Sequence, residues 1–98
     1  MALNTINPTT TTAWKNLQAH YETIQYTSIK ELFEANTKRF EEFSIQYPTL
    51  LVDYSKNRIN KETIQLLVDL AKETGVDQAI QQMFNGETIN LTEGRAVL

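Results

Sequence analysis

Trp14, Leu17, Tyr21 and Ile24 fall at spacings of three, four and three, the stripe that an amphipathic helix of period 3.6 presents to a core. This spacing predicts a helix over about residues 10–26, with the Thr9–Thr12 run supplying its N-cap. Ile29 comes five positions after Ile24 and breaks the phase. Ser28 and Glu31 have the spacing of a capping box, and Ile29, Leu32 and Phe33 restart the stripe. A short second helix over about 28–35 follows, with a turn between the two. Asn36-Thr37 opens a third piece, in which Phe40 and Phe43 lie one turn apart.

The period then changes to two. Phe43, Ile45 and Tyr47 alternate with polar residues, and Leu50, Val52 and Tyr54 alternate after Pro48-Thr49. Alternation around a proline turn predicts a small hairpin, which is marginal alone and needs something to pack on. Asn60 caps a helix whose expected buried face is Ile64, Leu67, Val68 and Ala71, with Gly75 at its C-terminal stop. Val76, Ala79, Ile80, Met83 and Phe84 form another short amphipathic helix, closed by Asn85-Gly86. Asn90 with Glu93 then has the form of a further helix start. The fold class is therefore mainly α with a small two-strand element, α+β in kind, without internal repeat or linker.

Composition narrows this picture. At 98 residues the chain is one domain at most. Hydrophobic residues at 41% and aromatics at 9% argue for folding and against wholesale disorder. The net charge of −3, with basic residues scattered, leaves no basic stripe and argues against a nucleic-acid partner. The absence of cysteine excludes disulfides and thiolate metal sites. The N-terminal MALNTINPTTTT has neither the basic nor the apolar region of a signal peptide. No apolar run nears the roughly 20 residues of a membrane span, so no membrane partner and a cytoplasmic location are expected.

Isolated candidates for chemistry weigh little. His20 stands alone with only Glu22 nearby, and a metal would want further ligands at suitable spacing. Glu41-Glu42 point in different directions on a helix and cannot flank one bond. Asp53-Tyr54-Ser55-Lys56-Asn57-Arg58 is the densest polar cluster. Ser55 beside Lys56 has the look of a nucleophile with its base, and Lys56 with Arg58 that of a phosphate clamp. There is neither a glycine-rich loop nor a strained elbow to support either reading. A structural turn is expected instead, with Asp53, Ser55 and Asn57 bonding nearby backbone and Tyr54 buried beneath. Asn90-Leu91-Thr92 matches a glycosylation sequon, but the helix-cap reading is preferred.

Several stretches taken together carry more. LLVDYSKNRI, MFNGETIN and LTEGRAVL, preceded by AWKNLQAHY and RFEEFS, resemble the opening region of the glucose-6-phosphate isomerase family. DYSKN, MFNGE and TEGRAVL in this order and at these distances are specific in a way no one of them is alone. The resemblance implies a parent that interconverts glucose 6-phosphate and fructose 6-phosphate, an aldose–ketose isomerase of glycolysis and gluconeogenesis. It implies a cytoplasmic homodimer with two α/β sugar-isomerase (SIS) domains, a sugar phosphate substrate, and no cofactor or metal. By the same resemblance, residues 1–98 are the N-terminal, mostly helical segment, truncated within a helix, with the SIS domains absent. The phosphate-binding serines and threonines, base glutamate, ring-opening histidine and catalytic lysine and arginine of the family would all follow Leu98. His20 and Lys56 do not correspond to them. The expected catalytic, cofactor-binding and metal-binding residues within the chain are therefore none. The piece alone is expected to be inactive and structural, and to self-associate through swapped or paired helices. The competing class is a free-standing helical interaction module, which would present a coherent exposed apolar patch.

Overall fold

In a computed structural model describing residues 5–90 and 92–97, caps start the helices where the sequence places them. Asn7 and Pro8 open a 3-10 turn, Pro8–Thr10, and Thr11 then accepts from Trp14 N–H to cap α1, Thr12–Ile24. Ser28 accepts from Glu31 N–H and caps α2, Ile29–Ala35. A single turn, α3, spans Arg39–Glu42 and leads directly into β1, Ser44–Tyr47. β2, Leu50–Asp53, returns antiparallel, with Ile45 opposite Val52 and Tyr47 opposite Leu50. Pro48 and Thr49 make the two-residue turn. Asn60 and Thr63 form a reciprocal capping box at the start of α4, Lys61–Glu73. Gly75, at a left-handed φ of 78°, closes α4 and launches α5, Val76–Phe84. Five helices and one two-stranded sheet among the described residues agree with the mainly α reading.

The phase of the helices is where expectation and structure part. α1 packs antiparallel on α4: Ala13 N–H donates to Glu73 Oε1 at one end, and His20 meets Thr63 at the other. The buried side chains of α1 are accordingly Ala13, His20 and Ile24, while Tyr21 is exposed. Of the expected stripe Ile24 is buried, Trp14 and Leu17 are half-buried and only Tyr21 is exposed; Ala13 and His20 join the buried side where they meet Glu73 and Thr63 of α4. On α4 itself Thr63 is buried, and Leu67 and Val68 from the expected inner face are exposed. On α5 Gln82 is the buried residue, whereas Val76, Ile80 and Phe84 face outward, Phe84 at 72% exposure.

The expected helix at Asn90 does not form among residues 92–97. Its cap does: Asn90 Oδ1 accepts from Glu93 N–H at 3.1 Å. Gly94 then takes a φ of 65° and turns the chain back, so that Asn90 N–H donates to Arg95 O at 3.0 Å in an isolated antiparallel bridge. Capping is a three-residue event, and a left-handed glycine ends it after one turn. Leu91 and Leu98 lie outside the described residues. The radius of gyration is 17.1 Å and the extents are 49 × 38 × 17 Å, against about 13 Å for a compact domain of this length. The molecule is a slab, one to two layers thick.

Candidate functional site

The densest set of tertiary hydrogen bonds forms around a residue that the hydropathy pattern passes over. Arg39, first residue of α3, is 2% exposed. Its Nε donates to Ser55 O at 2.9 Å and its Nη2 to Asn57 O at 2.8 Å. The guanidinium lies over the rings of Phe43 at 4.5 Å and Phe33 at 5.6 Å, within the range of a cation–π contact. Phe43 in turn meets Tyr54 edge-on, with ring centroids 5.8 Å apart. One side chain thus joins α2, α3, the base of the hairpin and the loop that follows it.

That loop is the DYSKN turn, and its polar groups are spent locally, as expected. Ser55 is fully buried; its N–H and its hydroxyl both donate to Asp53 Oδ1, at 2.9 and 2.6 Å. These bonds, the hydroxyl first and then the backbone N–H, hold the Asp53 carboxyl below its usual range, helped by Lys56 at 3.5 Å. Asn57 donates through Nδ2 and N–H to Tyr54 O. Tyr54 is half-buried rather than fully covered. Arg58 Nη1 reaches Gln25 O, 33 positions away, at 3.1 Å. Lys56 and Arg58 thus serve different partners and form no phosphate clamp. A buried serine bonded to a carboxylate cannot attack a substrate that has no way in.

His20 is 7% exposed and its Nε2 sits 2.5 Å from Thr63 Oγ1, while Nδ1 is 3.5 Å from Glu62 Oε2 and makes no hydrogen bond. Hydroxyl, imidazole and carboxylate in series have the order of a catalytic triad. The hydroxyl, however, is buried in the capping box, taking Asn60 N–H at 3.0 Å and lying 3.1 Å from Asn60 Oδ1. It caps a helix and ties α1 to α4. Glu41 and Glu42 are exposed on α3; Glu42 accepts from Asn36 Nδ2 at 2.6 Å and pairs with Lys61 at 3.6 Å. Asn36 first, and Lys61 after it, pull the Glu42 pKa down. Asn90 of the sequon has its amide engaged with Glu93 Oε2.

No three His, Asp or Glu side chains among the described residues converge on a point where a metal could sit. No described helix is long and apolar enough to cross a membrane. A groove beside α1 is lined by Trp14, Leu17, Gln18, Tyr21 and Glu22, open and without a titratable pair held in working geometry. Arg39 was not legible as a functional residue because its acceptors are carbonyls 16 and 18 positions away. Its flanking by Phe33, Phe40 and Phe43 was the only hint.

The described residues thus offer helices, a hairpin and a locked turn, with the polar groups of Asp53, Ser55 and Asn57 bonded locally. The family model of phosphoglucose isomerase matches residues 53–98 of the 98. The match begins at the DYSKN turn and is consistent with the resemblance drawn from the sequence.

Proposed function

We propose that the chain is the N-terminal, mainly helical part of a glucose-6-phosphate isomerase, serving as structural support for an enzyme that interconverts glucose 6-phosphate and fructose 6-phosphate. In that reading the parent acts in glycolysis and gluconeogenesis, in the cytoplasm, as a homodimer without cofactor, through two SIS domains. Proton transfer between C1 and C2 of the opened sugar needs a positioned acid and base, and these belong to the parent beyond Leu98. The observation that carries the reading is the family match over 53–98, joined to a DYSKN turn in which Asp53, Ser55 and Asn57 are committed to structure. The test is a coupled assay of purified residues 1–98 with fructose 6-phosphate, read through an NADP-dependent dehydrogenase. No turnover above a mock purification from an isomerase-deficient host is expected. Measurable turnover would overturn the assignment of a purely supporting role.

A second reading, a free-standing helical interaction module, draws on the exposed apolar residues Leu67, Val68, Val76, Ile80 and Phe84. It separates from the first in the parent enzyme: deleting residues 1–98 would leave isomerase activity intact if they were an independent module. If they support the SIS domains, the same deletion would abolish soluble, active enzyme.

A further inference from the structure

We propose that His20 is a proton-operated latch: an imidazolium formed between Thr63 and Glu62 tightens the docking of α1 on α4 as the solution turns mildly acidic. The proposal rests on the α1–α4 contact and is independent of the isomerase reading. His20 is the one histidine of the chain. Its side chain is 4% exposed, and Nδ1 is shut away from water without a hydrogen-bond partner. A buried polar atom left alone in this way calls for a physical reason.

Counting hydrogens around Thr63 supplies that reason. The hydroxyl has one proton and two acceptors for it, His20 Nε2 at 2.5 Å and Asn60 Oδ1 at 3.1 Å. Its oxygen already takes the Asn60 N–H at 3.0 Å. When the proton goes to Asn60, Nε2 must be the N–H of the ring. In a neutral ring the bare Nδ1 then faces the Glu62 carboxylate at 3.5 Å, acceptor against acceptor. When the proton goes to Nε2 instead, Nδ1 carries the hydrogen, but 3.5 Å is beyond the usual reach of a hydrogen bond. A proton on both nitrogens resolves the two cases. Nε2–H donates to Thr63, the hydroxyl donates to Asn60, and the charge of the ring attracts Glu62 across a gap that a neutral ring does not bridge.

The surroundings carry no competing charge. The groove at His20 is lined by Asn16, Ala19 and Thr23 of α1 and by Glu62 and Leu66 of α4. Glu62 is the one charged group among them, and its neighbour Lys61 pairs with Glu42 at 3.6 Å. Burial works against a charged ring, but both N–H groups then face oxygen, one of them a carboxylate, which is how a buried cation is tolerated. The helix ends offset each other: His20 lies about one turn from the C-terminus of α1, which favours a cation, and beside the first turn of α4, which does not. The Glu62 side chain is 70% exposed, so solvent screens the attraction and the effect is modest.

Urea unfolding of the 98-residue chain at about pH 8 and about pH 6, either side of the ordinary imidazole range, tests this at one low salt concentration. The folded-to-unfolded ratio should rise at least about threefold at the lower pH, because protonation then stabilises only the docked helices; the gain is lost as the pH rises. This window lies above that of Asp53 and Glu42, whose carboxyls are held below the ordinary 3.8 and 4.5. His20→Gln and Glu62→Gln should each remove the rise, whatever they do to stability at the higher pH. Glu22→Gln, in the groove beside Trp14, should retain it. Nitrogen NMR of the single imidazole, recorded on the folded chain at the lower pH, should show hydrogen on both Nδ1 and Nε2. The proposal is overturned if the wild-type chain is no more stable at the lower pH or if Nδ1 stays bare there. It is equally overturned if the rise survives in His20→Gln or Glu62→Gln, or if Glu22→Gln abolishes it.

Discussion

Two halves of this molecule spend their side chains in opposite ways. From Ser28 to Arg58, α2, α3 and the DYSKN turn are knitted around one buried guanidinium, with backbone carbonyls, aromatic rings and a carboxylate all matched. Across α4 and α5, Leu67, Val68, Ile80 and Phe84 stand in solvent. The first half shows how polar groups, rather than an apolar core, can fix a fold locally: a buried carbonyl left unpaired is costly, and those of Ser55 and Asn57 find their donor in Arg39. The second shows that amphipathic helices form by local rules whether or not their apolar faces are covered. Order and burial are separable, and this chain separates them.

The contrast can be broken most forcefully at Arg39. Arg39→Ala strips donors from two carbonyls; at about 1–3 kcal/mol each the loss is roughly 2–6 kcal/mol, measured by urea unfolding. Arg39→Lys keeps the charge but not the planar fork, and should fall between. A cost below about 1 kcal/mol for the alanine variant would mean the clamp is decorative.

A smaller effect should appear in acid. Because the folded Asp53 pKa lies below its usual 3.8, held there by the Ser55 hydroxyl and N–H, its contribution to stability is present above that value. It is lost as the pH falls through the folded pKa. Glu42, lowered from 4.5 by Asn36 and Lys61, acts in the same sense. Asp53→Asn should therefore give a shallower loss of stability on acidification than the wild type. Superimposable acid profiles would remove the carboxylate from the account of the turn.

The least effect is expected in the open half. Phe84→Ala should change stability by no more than about 0.5 kcal/mol, as surface substitutions usually do. A cost of several kcal/mol in the dilute monomer would show that α5 packs inward in solution and that the contrast between the halves is false.

How much of this could be read in advance follows from the range of each interaction. Thr11, Ser28 and Asn60 act on N–H groups three residues away, so the helix starts were legible, as was the Pro48-Thr49 turn between alternating strands. That His20 and Ala13 join the inner side of α1 depends on Thr63 and Glu73, 43 and 60 positions distant, and no periodicity in α1 encodes that. The Asn90 cap was correct and the helix after it was not, because Gly94 was free to adopt a left-handed turn. At the candidate site, the structural reading of Asp53, Ser55 and Asn57 was available from their known habit of bonding local backbone. Arg39 was hidden, since carbonyl acceptors leave no mark in a sequence.

The Arg39 clamp also has a kinetic side. Its bonds to Ser55 and Asn57 close loops of 16 and 18 positions, whereas docking α1 on α4 closes 43 to 60. Loop entropy grows with the logarithm of length, so the clamp is favoured over the longest of these closures by about 1 kcal/mol before any contact energy is counted. Contacts near in sequence also form sooner. By this measure a refolding chain completes the α2–α3–DYSKN unit first, and α1 then finds α4 against a piece already in place.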